Sequence, residues 1–282
     1  MATVVAVTAA LLAACCFAVA AVLQQAAASS VPEDQSLRPR LILSLARRPL
    51  WLAGIGMSAA SYVIQGAALA FGSLVLVMPL ASTDVLFALP LIAWRRAQHL
   101  TRTEVTGAVC TAGGVAAFLV VLPPSVGSAA PGLGHWVPLL AVVAFLVAIL
   151  IPAGIRASAH ARTILYAAAA GLLFALLDAL TKSAADLFRA DGPAALARWE
   201  PYALVVVGGA GVLLAQSSFQ SGSLAISLPV IDTLEPVGAV LIGATVFHEP
   251  LATSWALAVQ VLGGILAVAG IVILDNSALA RT

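Results

Sequence analysis

The 282-residue chain has little charge, since Asp, Glu, Lys and Arg make up only 9% of it, against about 25% in soluble domains. So few charges cannot clothe a soluble globule, and a hydrophobic content of 62% marks an integral membrane protein instead. Basic tracts are missing too. The net charge of +1 says nothing about nucleic acid, but with no basic tract and no aromatic stacking platform no nucleic-acid partner is expected. Cysteine is scarce: Cys15, Cys16 and Cys110 all sit inside apolar runs, where they read as small packing residues rather than a disulfide framework or metal cluster. There is no G-x-S-x-G, H-E-x-x-H or nucleotide-binding loop, and His99, His135, His160 and His248 lie in the connections. No enzyme chemistry and no cofactor are expected from this pattern. Of the 13 basic residues only Lys182 is a lysine, a bias that points to a high-GC bacterial genome.

What the chain does have is apolar runs of spanning length, at about 3–23, 50–70, 73–93, 104–122, 136–155, 163–181, 201–217, 223–243 and 253–274. They predict nine transmembrane helices with short connections. No positive charge precedes the first run, because the first basic residue is Arg38, so residues 3–23 read as a retained span rather than a signal peptide. Trp51, Trp94, Trp136, Trp199 and Trp255 all fall at or beside span ends, where indole rings settle at headgroup depth. Arg38, Arg40, Arg47, Arg48, Arg95, Arg96, Arg102, Arg156, Arg162 and Arg281 occupy the connections after spans one, three and five and the C-terminal tail. The positive-inside rule puts these on the cytoplasmic side, with the N-terminus outside and the C-terminus inside a cytoplasmic membrane. The 182–200 connection then faces out, and its GPAALARWEP suits a short interfacial helix.

The chain also repeats itself. Gly72-Ser73-Leu74 followed by Pro79 and Thr83 returns 150 residues later as Gly222-Ser223-Leu224, Pro229 and Thr233, and with Leu91/Leu241 and Ile92/Ile242 gives seven identities over 22 ungapped pairs. Phe17-Ala18 echoes Phe174-Ala175, and the glycines of the fourth span (Gly107, Gly113, Gly114) echo those of the ninth (Gly263, Gly264, Gly270). Spans one to four therefore pair with spans six to nine. An offset of five helices makes the copies cross in opposite directions, the inverted-repeat plan that places substrate near the midplane. The expected division is 1–155, a first repeat of five spans, and 156–282, a second of four. The fifth span has no counterpart.

This pattern resembles the drug/metabolite transporter superfamily, EamA-type. The segment Phe247-His248-Glu249-Pro250-Leu251 leading to Gly263-Gly264 and Gly270 is similar to that superfamily's G-E-P-L turn and glycine-ridged helix. Its members typically have ten helices in two inverted five-helix repeats. The nine-span form, and the G-S-L-x4-P element, are similar to the NIPA magnesium-transporter-like branch, so the resemblance implies a drug/metabolite transporter fold lacking the tenth helix.

The candidate site follows from acids inside spans. A carboxylate at the centre of a lipid-facing helix costs roughly 2.5–3.5 kcal/mol, so Asp232 and Glu235 at i, i+3 are expected to turn toward a cavity, to bind a cationic substrate or carry a proton. Asp84, in the repeat partner of that span, can face the same cavity or bond locally to Thr83 or Ser82. If the ion is Mg²⁺, the ligands would be Asp84, Asp232 and Glu235. Gln65, Gln216 and Thr233 complete the expected substrate-lining set; Gln24, Gln25 and Gln220, like Gln65 and Gln216, fit interhelical hydrogen bonding first and substrate contact second. Pro79, Pro229 and Pro236, with Gly72 and Gly222, are expected structural or hinge positions, the prolines at 79 and 229 kinking their spans at matching depths. Asp178 and Lys182 at i, i+4 read as a local ion pair with the lysine reaching toward headgroups. His248 and Glu249 read as a turn and helix-start feature of the ninth span.

The expected activity is transport of a small polar or cationic solute by alternating access. A magnesium or other divalent-cation transporter is one alternative; a flippase of lipid-linked intermediates and a non-transporting scaffold are two more. Expected partners are the lipid bilayer and the small-molecule or cation substrate, with a homodimer left open.

Overall fold

A computed structural model of the chain describes residues 2–28, 46–95, 99–123, 131–221 and 224–276. The described residues form helices and connections, with no β-strand among them. In order these are α1 (Ala2–Ala28), α2 (Pro49–Phe71), α3 (Leu74–Ala81), α4 (Asp84–Arg95), α5 (Arg102–Val120), α6 (Leu133–Arg156), α7 (Ala159–Asp191), α8 (Glu200–Ser221), α9 (Leu224–Thr245) and α10 (Ser254–Asp275). A short 3-10 helix, Gly192–Ala197, joins α7 to α8. Among the described residues, seven helices (α1, α2, α5, α6, α7, α8 and α10) are long and apolar enough to cross a membrane. The protein is all-α and multi-pass.

Two expected spans differ in form from a simple apolar rod. The run at 73–93 is divided into α3 and α4 at Ser82-Thr83. Pro79 cannot donate back along the helix, and the hydroxyls of Ser82 and Thr83 donate to the carbonyls of Pro79 and Leu80 at 3.0 and 2.6 Å. These local bonds satisfy the backbone where the helix stops. By contrast α9 runs unbroken through Pro229 and Pro236, so the two prolines expected to kink matching spans do not act alike.

The second difference is α7. Its 33 residues extend ten positions beyond the expected span end at 181, because 172–191 contains neither Gly nor Pro. At 1.5 Å per residue it is about 50 Å long, more than the roughly 30 Å hydrocarbon layer. It ends at Gly192, whose φ of 57° suits glycine. Most of the expected 182–200 connection is thus helix, and GPAALARWEP becomes the 3-10 helix with Ala195 buried, followed by the start of α8.

α7 is also the hub of the bundle. Burial covers 72% of its apolar stretch against 11% for α6, and it packs on α2, α6, α8 and α9. Around it α1 packs on α2, α3 and α4, while α3 also meets α9. The remaining pair, α5 and α10, meets through glycines. A Cβ on Gly263 would stand 2.7 Å from Phe118 N, and one on Gly107 would stand 2.7 Å from Leu274 Cγ, so the two backbones touch where side chains would otherwise separate them. The start of α5 is fixed by a capping box: the Thr101 N–H donates to Glu104 Oε2 at 2.6 Å and the Glu104 N–H to Thr101 Oγ1 at 3.4 Å.

The tryptophans divide. Trp94 and Trp255 are 80% and 75% exposed, as expected of rings at headgroup depth. Trp51 and Trp136 are not, being 8% and 1% exposed. Trp136 stands edge-to-face against Trp199 and Phe247, with centroids 5.4 and 6.2 Å away. It is a core residue, since helix ends here pack on one another rather than on lipid.

Candidate functional site

Two polar clusters lie inside the bundle, one helical turn apart on α7. The first is centred on Asp178. Its carboxylate is wholly buried, and Oδ1 accepts from Gln65 Nε2 of α2 at 2.8 Å. The same nitrogen stands 3.4 Å from Met78 Sδ of α3. The other oxygen, Oδ2, is buried with no hydrogen-bond partner. Asp178 lies within charge–charge range of Glu235 on α9, Glu235 within range of Asp84 at the start of α4, and Tyr62 of α2 within range of both Glu235 and Asp178. Acids of α4, α7 and α9 thus lie within one another's electrostatic range around the Gln65–Asp178 bond, an arrangement that suits a cation or a mobile proton and is costly when empty.

The second cluster is centred on Lys182, 1% exposed. Its ammonium donates to the Gly72 carbonyl at 3.2 Å, lies 3.7 Å from both Asp186 Oδ2 and Glu249 Oε1, and stands 5.6 Å from the Phe247 ring centroid. Glu249 completes the arrangement from the α9–α10 connection. Its two oxygens accept the Leu74 and Val75 backbone N–H groups at 2.9 Å each, capping the first turn of α3. Such charge-assisted bonds at a helix start satisfy donors that have no partner within the helix. Burial pushes the Glu249 carboxyl above the usual range, and the N–H groups of Val75 and Leu74 and the Lys182 ammonium oppose that rise.

Local sequence explains how these groups reach one another. His248 takes a positive φ of 51°, a conformation a histidine adopts several times more often than most residues, so the chain bends and buries both Phe247 and Glu249 while His248 stays exposed. Gly243 leaves the space: a Cβ there would fall 2.6 Å from Glu249 Oε2. Gly72 does the same on the other side, since its Cβ would fall 2.8 Å from Ala6 Cβ. Ser73 then caps α3 by accepting from the Leu76 N–H at 3.2 Å.

Two expectations are overturned here. Asp178 and Lys182 are not an ion pair at a span end: Asp178 bonds Gln65, and Lys182 faces Asp186, Glu249 and Gly72. Burial and long-range partners replace the snorkelling expected of a terminal lysine. Nor does Glu249 belong to the first turn of the last helix, which begins at Ser254; it caps α3 instead.

Other expected residues are distributed as follows. Asp232 and Pro236 are half-buried on α9 with Glu235, and Gln216 is half-buried on α8. Thr233 Oγ1 is buried with no hydrogen-bond partner. Gln24 makes the interhelical bond expected of it, donating to Ser58 Oγ at 2.8 Å. Pro79 is half-buried inside α3. Gly222 lies outside the described residues, as do the side chains of Gln25, Gln220 and Pro229. Among the described residues no three His, Cys, Asp or Glu side chains stand close enough together to hold a metal ion, so the Mg²⁺ set of Asp84, Asp232 and Glu235 is not assembled. An apolar recess of about 360 Å³ between α1, α2 and α4 is lined by Val19, Val22, Leu23, Leu50, Leu91 and Trp94, and none of the acids borders it.

No protein-family model and no solved structure matches the chain. Among curated proteins it is 32% identical over 224 residues to an uncharacterized protein of Corynebacterium glutamicum, covering 77% of this chain and 76% of that one.

Proposed function

The chain belongs to one family with that Corynebacterium glutamicum protein, and we propose that it is a transporter of the drug/metabolite type. It moves a small polar or cationic solute by alternating access between two inverted repeats, 1–155 and 156–282, in a nine-span arrangement with the N-terminus outside. Helix pairing supports the repeat: α1–α2 and α7–α8 are each tied by a serine of the second helix donating to a carbonyl of the first, Ser61 to Ala13 at 2.6 Å and Ser218 to Thr163 at 2.8 Å. Proposed repeat partners also pack on each other, α3 on α9 and α5 on α10, as expected around an axis in the membrane plane.

The observation that carries the reading is Asp178, a fully buried acid with one oxygen unpartnered and Glu235 within charge–charge range. A fold gains no stability from such a group, whereas a carrier needs a site that a cation or proton completes. Asp84, Asp178 and Glu235 therefore bind the solute or coupling proton, with Gln65 and Tyr62 positioning them; Asp232, Thr233 and Gln216 complete the lining. The divalent-cation reading is ranked second because no chelating group of three is formed among the described residues. The flippase reading needs free basic groups for phosphate, and Lys182 is already engaged. Uptake into liposomes, screened over organic cations, metabolites and divalent metals with and without a proton gradient, tests the proposal. Asp178→Asn and Glu235→Gln are expected to abolish uptake with insertion intact; wild-type uptake in both would support a scaffold.

A further inference from the structure

The Glu249 cluster lies one helical turn from the proposed solute site, and it joins three elements: α3, α7 and the α9–α10 connection. We propose that Glu249 is a gating latch, a positioning residue that holds the first turn of α3 closed against α7 and the α9–α10 connection. The inference rests on the carrier reading for its purpose, though not for its test.

Each side of the contact leads directly to the acids. From Leu74, whose N–H the carboxylate holds, one helical turn of α3 leads to Met78, which meets Gln65. From Lys182, 3.7 Å from the same carboxylate, one turn of α7 leads to Asp178. One side chain on a connection thus fastens together both helices that frame the acid site, at the level where α2 gives way to α3. The seal beside it is apolar and aromatic: Phe247 is 1% exposed, and Trp136 packs edge-to-face against it. A purely structural cap would not need a cation. Here the cation is a buried lysine whose nearest hydrogen bond goes to the Gly72 carbonyl at 3.2 Å, with the two carboxylates further off at 3.7 Å. The carboxylate can therefore leave while Lys182 keeps Asp186 and Gly72 as partners, which is what a reversible contact requires.

The test is thiol accessibility in nanodiscs. Cys15, Cys16 and Cys110 are replaced by alanine, and Val75→Cys, at a position 1% exposed in the capped turn that keeps the backbone N–H held by Glu249, reports opening by its rate of labelling with a polar maleimide. The parent is expected to label slowly. Glu249→Gln, which presents an amide to two N–H donors, is expected to label at least about tenfold faster, the factor that loss of one charge-assisted hydrogen bond gives. Glu249→Asp, which keeps the charge, is expected to recover part of the protection. Should Glu249→Gln fail to give monodisperse protein, Gly243→Ala displaces the same carboxylate while leaving both charges, and the same increase is required of it. Equal rates in parent and variant, or fast labelling of the parent, overturn the latch. Lost uptake with unchanged labelling overturns it too, but leaves the carrier reading standing. Faster labelling in a protein that carries nothing on the panel supports the closure and removes the carrier.

Discussion

Replacing Asp178 by Asn should make the protein more stable and inactive at once. In the wild type, Oδ1 takes the Gln65 N–H at 2.8 Å while Oδ2 is buried with no hydrogen-bond partner, and the carboxyl lies within charge–charge range of Glu235. Asparagine keeps the accepting oxygen for Gln65 and puts an amide where the orphaned oxygen stood. That change removes the buried charge, whose unmet oxygen costs at least about 1–3 kcal/mol, and the repulsion from Glu235, and leaves the smaller cost of a neutral amide N–H without a partner. A domain of more than 150 residues shifts its midpoint by roughly 2–4 °C per kcal/mol, so a rise of about 2–12 °C is expected. The assay is thermal unfolding followed by tryptophan fluorescence, at one scan rate and in one detergent because membrane proteins rarely refold, run beside liposome uptake on the same preparation. A midpoint lowered by several degrees would mean that the carboxylate is a structural bond, and the argument from an unpaired acid would fail. Unchanged uptake would take Asp178 out of the pathway.

The converse substitution, Gln65→Leu, removes the partner and leaves Asp178 with neither oxygen bonded to it, so the midpoint should fall by an amount worth about 1–3 kcal/mol, with most of the loss recovered in the Gln65→Leu/Asp178→Leu double variant. Gly263→Leu should prevent α5 and α10 from closing, because its Cβ would meet Phe118 N at 2.7 Å and backbone cannot move aside; Gly264→Ala next to it, with its nearest atom at 3.7 Å, should be neutral in size-exclusion profile and midpoint. Trp136→Ala should cost about 3–5 kcal/mol as a buried large-to-small change, whereas Trp255→Ala at a 75% exposed position should stay within about 0.5 kcal/mol, both read by thermal unfolding in detergent.

The helices were legible in the sequence because hydropathy is local, and the site was less so because its partners are not. Gln65 and Asp178 are 113 positions apart, and Glu249 reaches Leu74 across 175. Lys182 shows the consequence. A charge ends an apolar run, so the sixth span was expected to stop at 181 and Asp178 to lie near its outer end; in the fold Gly72, Asp186 and Glu249 surround that charge and the helix continues. Asp178 then falls inside the bundle, where the rule that intramembrane acids are functional applies to it fully. The signal available was the absence of Gly or Pro from 172 to 191, which favours one long helix over a helix and a connection.

The repeat pair at 79–83 and 229–233 makes the same point from the other side. Both copies have Pro followed four residues later by Thr, yet one breaks and the other does not. The residues between and after them decide it. In the first copy Ser82 and Thr83 both turn their hydroxyls back onto carbonyls, and Asp84 supplies the acid that favours a new helix start. In the second copy those places hold Asp232, Thr233 and Leu234, and Thr233 Oγ1 bonds nothing. With a leucine where a new helix would need its first acid, α9 continues through its prolines and carries Glu235 within charge–charge range of Asp178. One repeat thus supplies a break and the other an acid, a difference in two residues that makes the halves unequal where they meet.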